Sequence, residues 1–190
     1  MNKMIRIAVD AMGGDNSPEK IIDGIEHHNK KTKNVFYKIF GDEDLIKSSL
    51  RRKAIDKNVY EIIHTKDIIK GEDSAFTAAK RGKNTSMWLA IESVKNSSSD
   101  IVVSAGNTGA LLVIAKLNLQ MIENIDKPAL SGLWPSKKGM SVVLDLGANV
   151  ECSDKNLIDF AIMGSSLFKA LYPNDKAKVA LLNIGSEEIK

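Results

Sequence analysis

Residues 104–109, SAGNTG, set a serine, two glycines, an asparagine and a threonine between an apolar run, DIVVS, and a helical pattern, ALLVIAKLNLQM. Three further stretches share this build: DAMGGD (10–15), DLGANVECS (145–153) and NIGSEE (183–188). Glycine lets backbone N–H groups approach an anion without interference from a Cβ, and a following helix start adds the positive end of its dipole. Serine, threonine and asparagine add neutral donors and acceptors. Together these groups suit phosphate or an oxyanion that develops during reaction. One such loop is also what a tight strand-to-helix turn needs for folding alone; four at strand ends point to a ligand.

The first candidates are therefore Asp10, Gly13, Gly14 and Asp15; Ser104, Gly106, Asn107, Thr108 and Gly109; and Asp145, Gly147 and Asn149. Cations that could offset a bound anion stand in AAKRGKNTSM, where Lys80, Arg81 and Lys83 precede a helix start carrying Ser86. The same charges on a solvated surface would need no ligand. Neither G-x-G-x-x-G nor G-x-x-x-x-G-K-[ST] occurs, so a standard dinucleotide or nucleoside triphosphate site is not supported. His27, His28 and His64 form no metal pattern with Cys152, and Asp10, Asp15 and Asp145 read as loop-capping carboxylates rather than metal ligands. Cys152 reads as an inert thiol, since no histidine is placed to activate it. No cofactor or metal is expected.

These loops need elements to position them. MIRIAVD, NVFYKIFGD, VYEIIHT and DIVVS read as strands, with SVVLDL as a fifth and KVALLNI as a sixth. Helical spacing follows Ser17-Pro18 (Ile21, Ile22, Ile25), begins again at Asp42 (Leu45, Ile46, Leu50) and at Asn84 (Met87, Ile91, Val94), and returns in a long stretch capped by Ser153. Residues 66–82 read as an extended polar connection with a short helical turn. Strands that alternate with helices imply parallel pairing and right-handed crossovers in an α/β fold. In such a sheet, ligands gather outside the carboxyl ends of the strands, where all four loops fall.

Composition sets the outer bounds. At 190 residues, with 43% hydrophobic and 27% charged positions, the chain is long enough for one sizeable core, and it is read as a single α/β domain over 1–190. A net charge of +3 is too small to indicate a nucleic-acid partner. The single cysteine excludes an internal disulfide and fits a reducing cytoplasm. No apolar run reaches a membrane-spanning length and no signal-peptide pattern opens the chain. The final strand runs into a polar loop without a covering helix, so the domain is expected to be incomplete, the front portion of a longer protein.

IAVDAMGGDNSPEKIIDG, KRGKNTSM, SAGNTGALL, VVLDLGANVECS, FAIMGSSL and VALLNIGSEEIK, in this order, resemble the bacterial phosphate acyltransferase family of phospholipid synthesis. The resemblance covers essentially the whole chain. It implies a Rossmann-like three-layer α/β/α fold with a mostly parallel sheet, related to phosphotransacetylases and isopropylmalate dehydrogenases. It implies conversion of long-chain acyl-ACP and inorganic phosphate to acyl phosphate and ACP. The implied partners are acyl carrier protein, a second copy in a homodimer, and the membrane glycerol-3-phosphate acyltransferase, with a cytoplasmic protein peripheral to the inner membrane. Asn107, Lys80 and Arg81 would then be catalytic, and the other loop residues would hold phosphate or substrate. Lys80 stands where that family commonly has arginine, which replaces a bidentate grip by a point charge. A phosphotransacetylase-like reaction on acyl-CoA is the alternative chemistry, and a noncatalytic membrane-associated scaffold for ACP is the alternative of another class.

Overall fold

The computed structural model describes residues 3–80, 82–137 and 139–182. Contacts divide the chain into two compact units, Met1–Gln120 and Met121–Lys190.

In the first unit, β1 (Ile5–Asp10), β2 (Val35–Gly41), β3 (Tyr60–His64) and β4 (Ile101–Ser104) form a four-stranded sheet in the order β3-β2-β1-β4, every pair parallel. Side chains alternate across it, as the strand repeat dictates. Val9, Tyr37 and Ile39 point to one face, where Ile22 and Ile25 of α1 (Glu19–Lys31) and Ile46 and Leu50 of α2 (Glu43–Leu50) close a core. Ala8 and Phe40, one residue along from Val9 and Ile39, pack on the other face against Ala90 of α4 (Ser86–Lys95). Helix α4 also packs Met87, Trp88 and Ile91 against Ala110 and Ile114 of α5 (Thr108–Asn118). The result is the α/β architecture expected from the sequence, a parallel sheet between two helical layers. Ile22, Ile39, Ile46 and Ile91 are fully buried. Each such side chain contributes about 1.5–3 kcal/mol of burial free energy.

Local signals explain the helix starts. Asp42 accepts from the amides of Asp44 and Leu45, Thr85 from that of Trp88, and Asn107 from that of Ala110. Ser17 departs from the expected pattern. Its hydroxyl donates to the carbonyls of Gly13 (2.6 Å) and Gly14 (2.8 Å), and Pro18 stands at the N-cap of α1 with no side-chain cap bond. The connection after β3 contains the expected short helix, α3 (Ala75–Lys80).

In the second unit, β5 (Gly132–Ser136) and β6 (Gly139–Val143) form an antiparallel hairpin, and α6 (Asp154–Leu171) begins at the expected cap, where Ser153 and Asn156 form a reciprocal capping box. This corrects the reading of SVVLDL as a fifth parallel strand: it ends at Val143 and pairs antiparallel with a strand the sequence did not announce. Pro135 inside GLWPS demotes that segment by pattern, yet proline is tolerated in a two-stranded ribbon with open edges. Residues 178–182 of the expected sixth strand form no strand, and Asn183 and Ile184 lie outside the described residues, as does the NIGSEE loop. Among the described residues, no helix is long and apolar enough to cross a membrane.

Candidate functional site

Chain direction creates the site. From β1 the chain moves outward through β2 to β3, then crosses back to place β4 on the opposite side of β1. The connection leaving β1 and the one entering from β4 therefore diverge, which opens a crevice at the carboxyl ends of these two neighbours. DAMGGD follows β1 and SAGNTG follows β4, and the register pairs Asp10 with Ser104, the last residue of each strand.

The two loops interlock. Ser104 Oγ donates to Asp10 Oδ2 at 2.7 Å, and the Gly106 amide donates to Ser104 Oγ at 3.1 Å. Asp10 Oδ1 accepts from the Met12 amide at 3.3 Å. Asp10 is only 1% exposed, while Ser104 is half-buried. A Cβ at Gly13 would lie 2.7 Å from the Gly106 nitrogen and 2.8 Å from Asp10 Oδ2, so only glycine fits. Gly14, at φ +86°, brings its backbone against the Ala105 carbonyl, where a Cβ would sit 2.7 Å from the oxygen.

A cleft of about 500 Å³ opens over this seam. Gly14 and Asp15 border it from the first loop and Gly106 and Asn107 from the second, with Ile69, Lys70 and Gly71 as the opposite wall. Asn107 ties that wall down. Its Oδ1 caps α5 through the Ala110 amide at 2.9 Å, and its Nδ2 donates to the carbonyls of Gly71 (2.9 Å) and Asp73 (2.8 Å). Thr108 and Gly109, both exposed, form the first turn of α5, where helix geometry leaves backbone amides without intrahelical partners. The Met87 side chain packs beneath Gly106.

The cationic candidates are arranged differently from the glycine loops. Lys80 ends α3 with its ammonium 4.3 Å from the centroid of the exposed Phe76 ring, and Lys83 is exposed. Arg81 lies outside the described residues. Ser86 is buried at the start of α4, its amide donating to the Asp67 carbonyl at 3.0 Å. Among the described residues that line the cleft, the cation is Lys70. Nothing in the sequence singled it out, because it belongs to a polar connection without periodicity.

A family profile described as "Fatty acid synthesis protein" matches residues 5–190. The chain belongs to this family. A phosphate acyltransferase of Pelagibacter ubique is 73% identical over 190 residues, taking in 100% of this chain and 56% of the relative. Phosphate acyltransferases of Rhodospirillum rubrum and Paramagnetospirillum magneticum are 42% and 39% identical over 190 residues, again with 100% of this chain and 54% of each relative. The chain spans about half the length of the curated relatives it matches.

The remaining candidates of this fatty acid synthesis family member lie in the second unit. Asp145 Oδ1 accepts from the Leu130 amide at 2.7 Å, and Oδ2 from the Asn149 amide at 2.7 Å and its Nδ2 at 3.0 Å. Asn149 Nδ2 also donates to the Pro128 carbonyl at 2.9 Å. Gly147 takes φ +91°, which this turn requires. The carboxylate thus staples residues 145–149 to 128–130.

Proposed function

We propose that the protein transfers a long-chain acyl group from acyl-ACP to inorganic phosphate, giving acyl phosphate for glycerophospholipid synthesis. The observation that carries this reading is the glycine-built crevice at the ends of β1 and β4, where Gly14, Asp15, Gly106 and Asn107 border a cleft of about 500 Å³ with Lys70 on its opposite wall. The name shared by the relatives, phosphate acyltransferase, supports the same chemistry.

The reaction asks little covalent chemistry of the protein. A phosphate oxygen attacks the thioester carbonyl, a tetrahedral oxyanion forms, and the thiolate of the carrier leaves. Holding the anion in line and stabilising the oxyanion are each worth several kcal/mol. In this reading the SAGNTG loop and the first turn of α5 supply the donors, and Gly13, Gly14 and Asp15 shape the near wall. Asn107 contributes by fixing the loop to the 71–73 wall. Lys70, together with the Lys80, Arg81 and Lys83 segment, offsets phosphate charge. Acyl carrier protein, a second copy of the chain and the membrane glycerol-3-phosphate acyltransferase are its partners, and the protein works in the cytoplasm at the inner membrane surface.

The test is phosphate-dependent cleavage of acyl-ACP by the intact protein, with the product trapped by hydroxylamine as a hydroxamate. Preference for acyl-CoA over acyl-ACP would instead indicate a phosphotransacetylase-like enzyme, and absence of product would remove the enzymatic reading.

A further inference from the structure

We infer that Lys70 is the cation that touches the phosphate, and that Asn107 acts on the anion through Lys70, as a positioning residue. This deepens the proposed function and rests on its assignment of the crevice as the phosphate site. Among the described residues lining the cleft, the charged side chains are Lys70 and Asp15, both exposed. Their charges cancel, so attraction for an anion depends on Lys70 being the one it meets. Among the described residues, no ion pair or hydrogen bond holds the Lys70 ammonium, whereas that of Lys80 lies 4.3 Å from the centroid of the Phe76 ring. A lysine ammonium rides on a flexible four-carbon stem, so the backbone decides what it can reach. That backbone is fixed on both sides. Ile69 is buried in the core shared by α4 and α5. The Lys70 amide donates to Asp73 Oδ2 at 2.7 Å and the Asp73 amide donates to the Lys70 carbonyl at 3.2 Å, which closes a turn over residues 70–73. Asn107 Nδ2 donates to the Gly71 and Asp73 carbonyls of that turn at 2.9 and 2.8 Å. A side-chain amide nitrogen has two protons, so both are committed and neither is left for a ligand. Asn107 Oδ1 meanwhile caps α5. One side chain thus joins the start of α5 to the turn that carries Lys70.

The experiment measures the dissociation constant of inorganic phosphate for the intact protein, for Lys70→Gln, for Asn107→Ser, for the two combined and for Lys33→Gln, with a thermal melt of each. Asn107→Ser keeps a cap oxygen for α5 and removes both donors to the turn without adding charge. Lys33, exposed two residues before β2, stands at the amino end of the sheet, so Lys33→Gln removes the same charge away from the crevice. Lys70→Gln should weaken phosphate binding about tenfold or more, as the loss of a charge-assisted bond does, and Lys33→Gln should leave it unchanged. Asn107→Ser should weaken binding in the wild-type background and add no further loss to Lys70→Gln. A structural role independent of Lys70 would give the same loss in both backgrounds. Wild-type affinity in Lys70→Gln, or an equal loss in Lys33→Gln, overturns the role of Lys70 while leaving the phosphate site standing. An equal effect of Asn107→Ser in both backgrounds overturns its positioning role in the same way. Failure of the wild type to bind phosphate overturns the phosphate-site assignment and the inference with it. The comparison of Lys70→Gln with Lys33→Gln decides for Lys70 even if Asn107→Ser fails to fold.

Discussion

Two residues bear most of the geometric argument, Gly13 and Asn107. The Cβ of Gly13→Ala would meet the backbone of Gly106 at 2.7 Å, and backbone cannot swing aside as a flexible side chain can. The loops must separate, which costs about 1–3 kcal/mol as overpacking. A displacement of this kind beside the reacting groups lowers turnover on the order of 100-fold. A melting curve and a rate for Gly13→Ala check both halves, and a variant with unchanged rate would place the chemistry elsewhere. Asn107 has two separable duties. Asn107→Ala loses the cap of α5, for about 1 kcal/mol, and also the tie to residues 71–73. Asn107→Asp keeps the cap oxygen but replaces two donated bonds by repulsion against the Gly71 and Asp73 carbonyls. A lowered melting temperature with the α5 cap retained, and a raised KM, is the outcome expected for Asn107→Asp. A raised KM for Asn107→Ala with none for Asn107→Asp would show that the tie is irrelevant.

At the scale of elements, β1 and β4 are clamped at the end away from the crevice. The Asp100 amide donates to the Arg6 carbonyl at 2.8 Å, and the Asp100 carboxylate accepts from the Arg6 amide at 2.9 Å and from its guanidinium at 3.0 and 3.1 Å. These bonds hold the Asp100 carboxyl well below the usual carboxylate range. A depressed folded-state value stabilises the fold above the unfolded value, near pH 4, and the contribution is lost as pH falls through the folded value. The melting difference between wild type and Asp100→Asn should therefore be full at about pH 7 and shrink below about pH 4. An equal difference at both ends of that range would contradict it. The elements were legible where burial patterning is strong: IRIAVD, VFYKIFG and IVVS are bounded by breakers and backed by helices with clear apolar faces. The β5–β6 hairpin was not, because an apolar run such as SVVL has the same pattern in a parallel core strand and in a ribbon, and Pro135 obscured its partner. The crevice loops were readable from their glycines and small polar residues. The opposite wall at residues 68–71 was not, since a polar connection gains its role from where Asn107 pins it. The capping duty of Asn107 follows its sequence position, whereas its bonds to Gly71 and Asp73 bridge more than thirty residues that no local pattern spans.

For the whole molecule, the glycine-built crevice is proposed to serve acyl transfer to phosphate. The chain belongs to the fatty acid synthesis protein family over residues 5–190, and its first unit supplies the parallel sheet whose strand order opens that crevice. In the proposed reaction phosphate is both the ligand the loops suit and the nucleophile, so removing it should stop product formation rather than only slow it. The most direct measurement incubates the intact protein with long-chain acyl-ACP, with and without inorganic phosphate, traps acyl phosphate as the hydroxamate, and follows release of the carrier thiol in parallel. Hydroxamate and free thiol should form in equal amounts, saturating with phosphate and absent without it. Thiol release that ignores phosphate, or no hydroxamate at saturating phosphate, would contradict the proposed reaction.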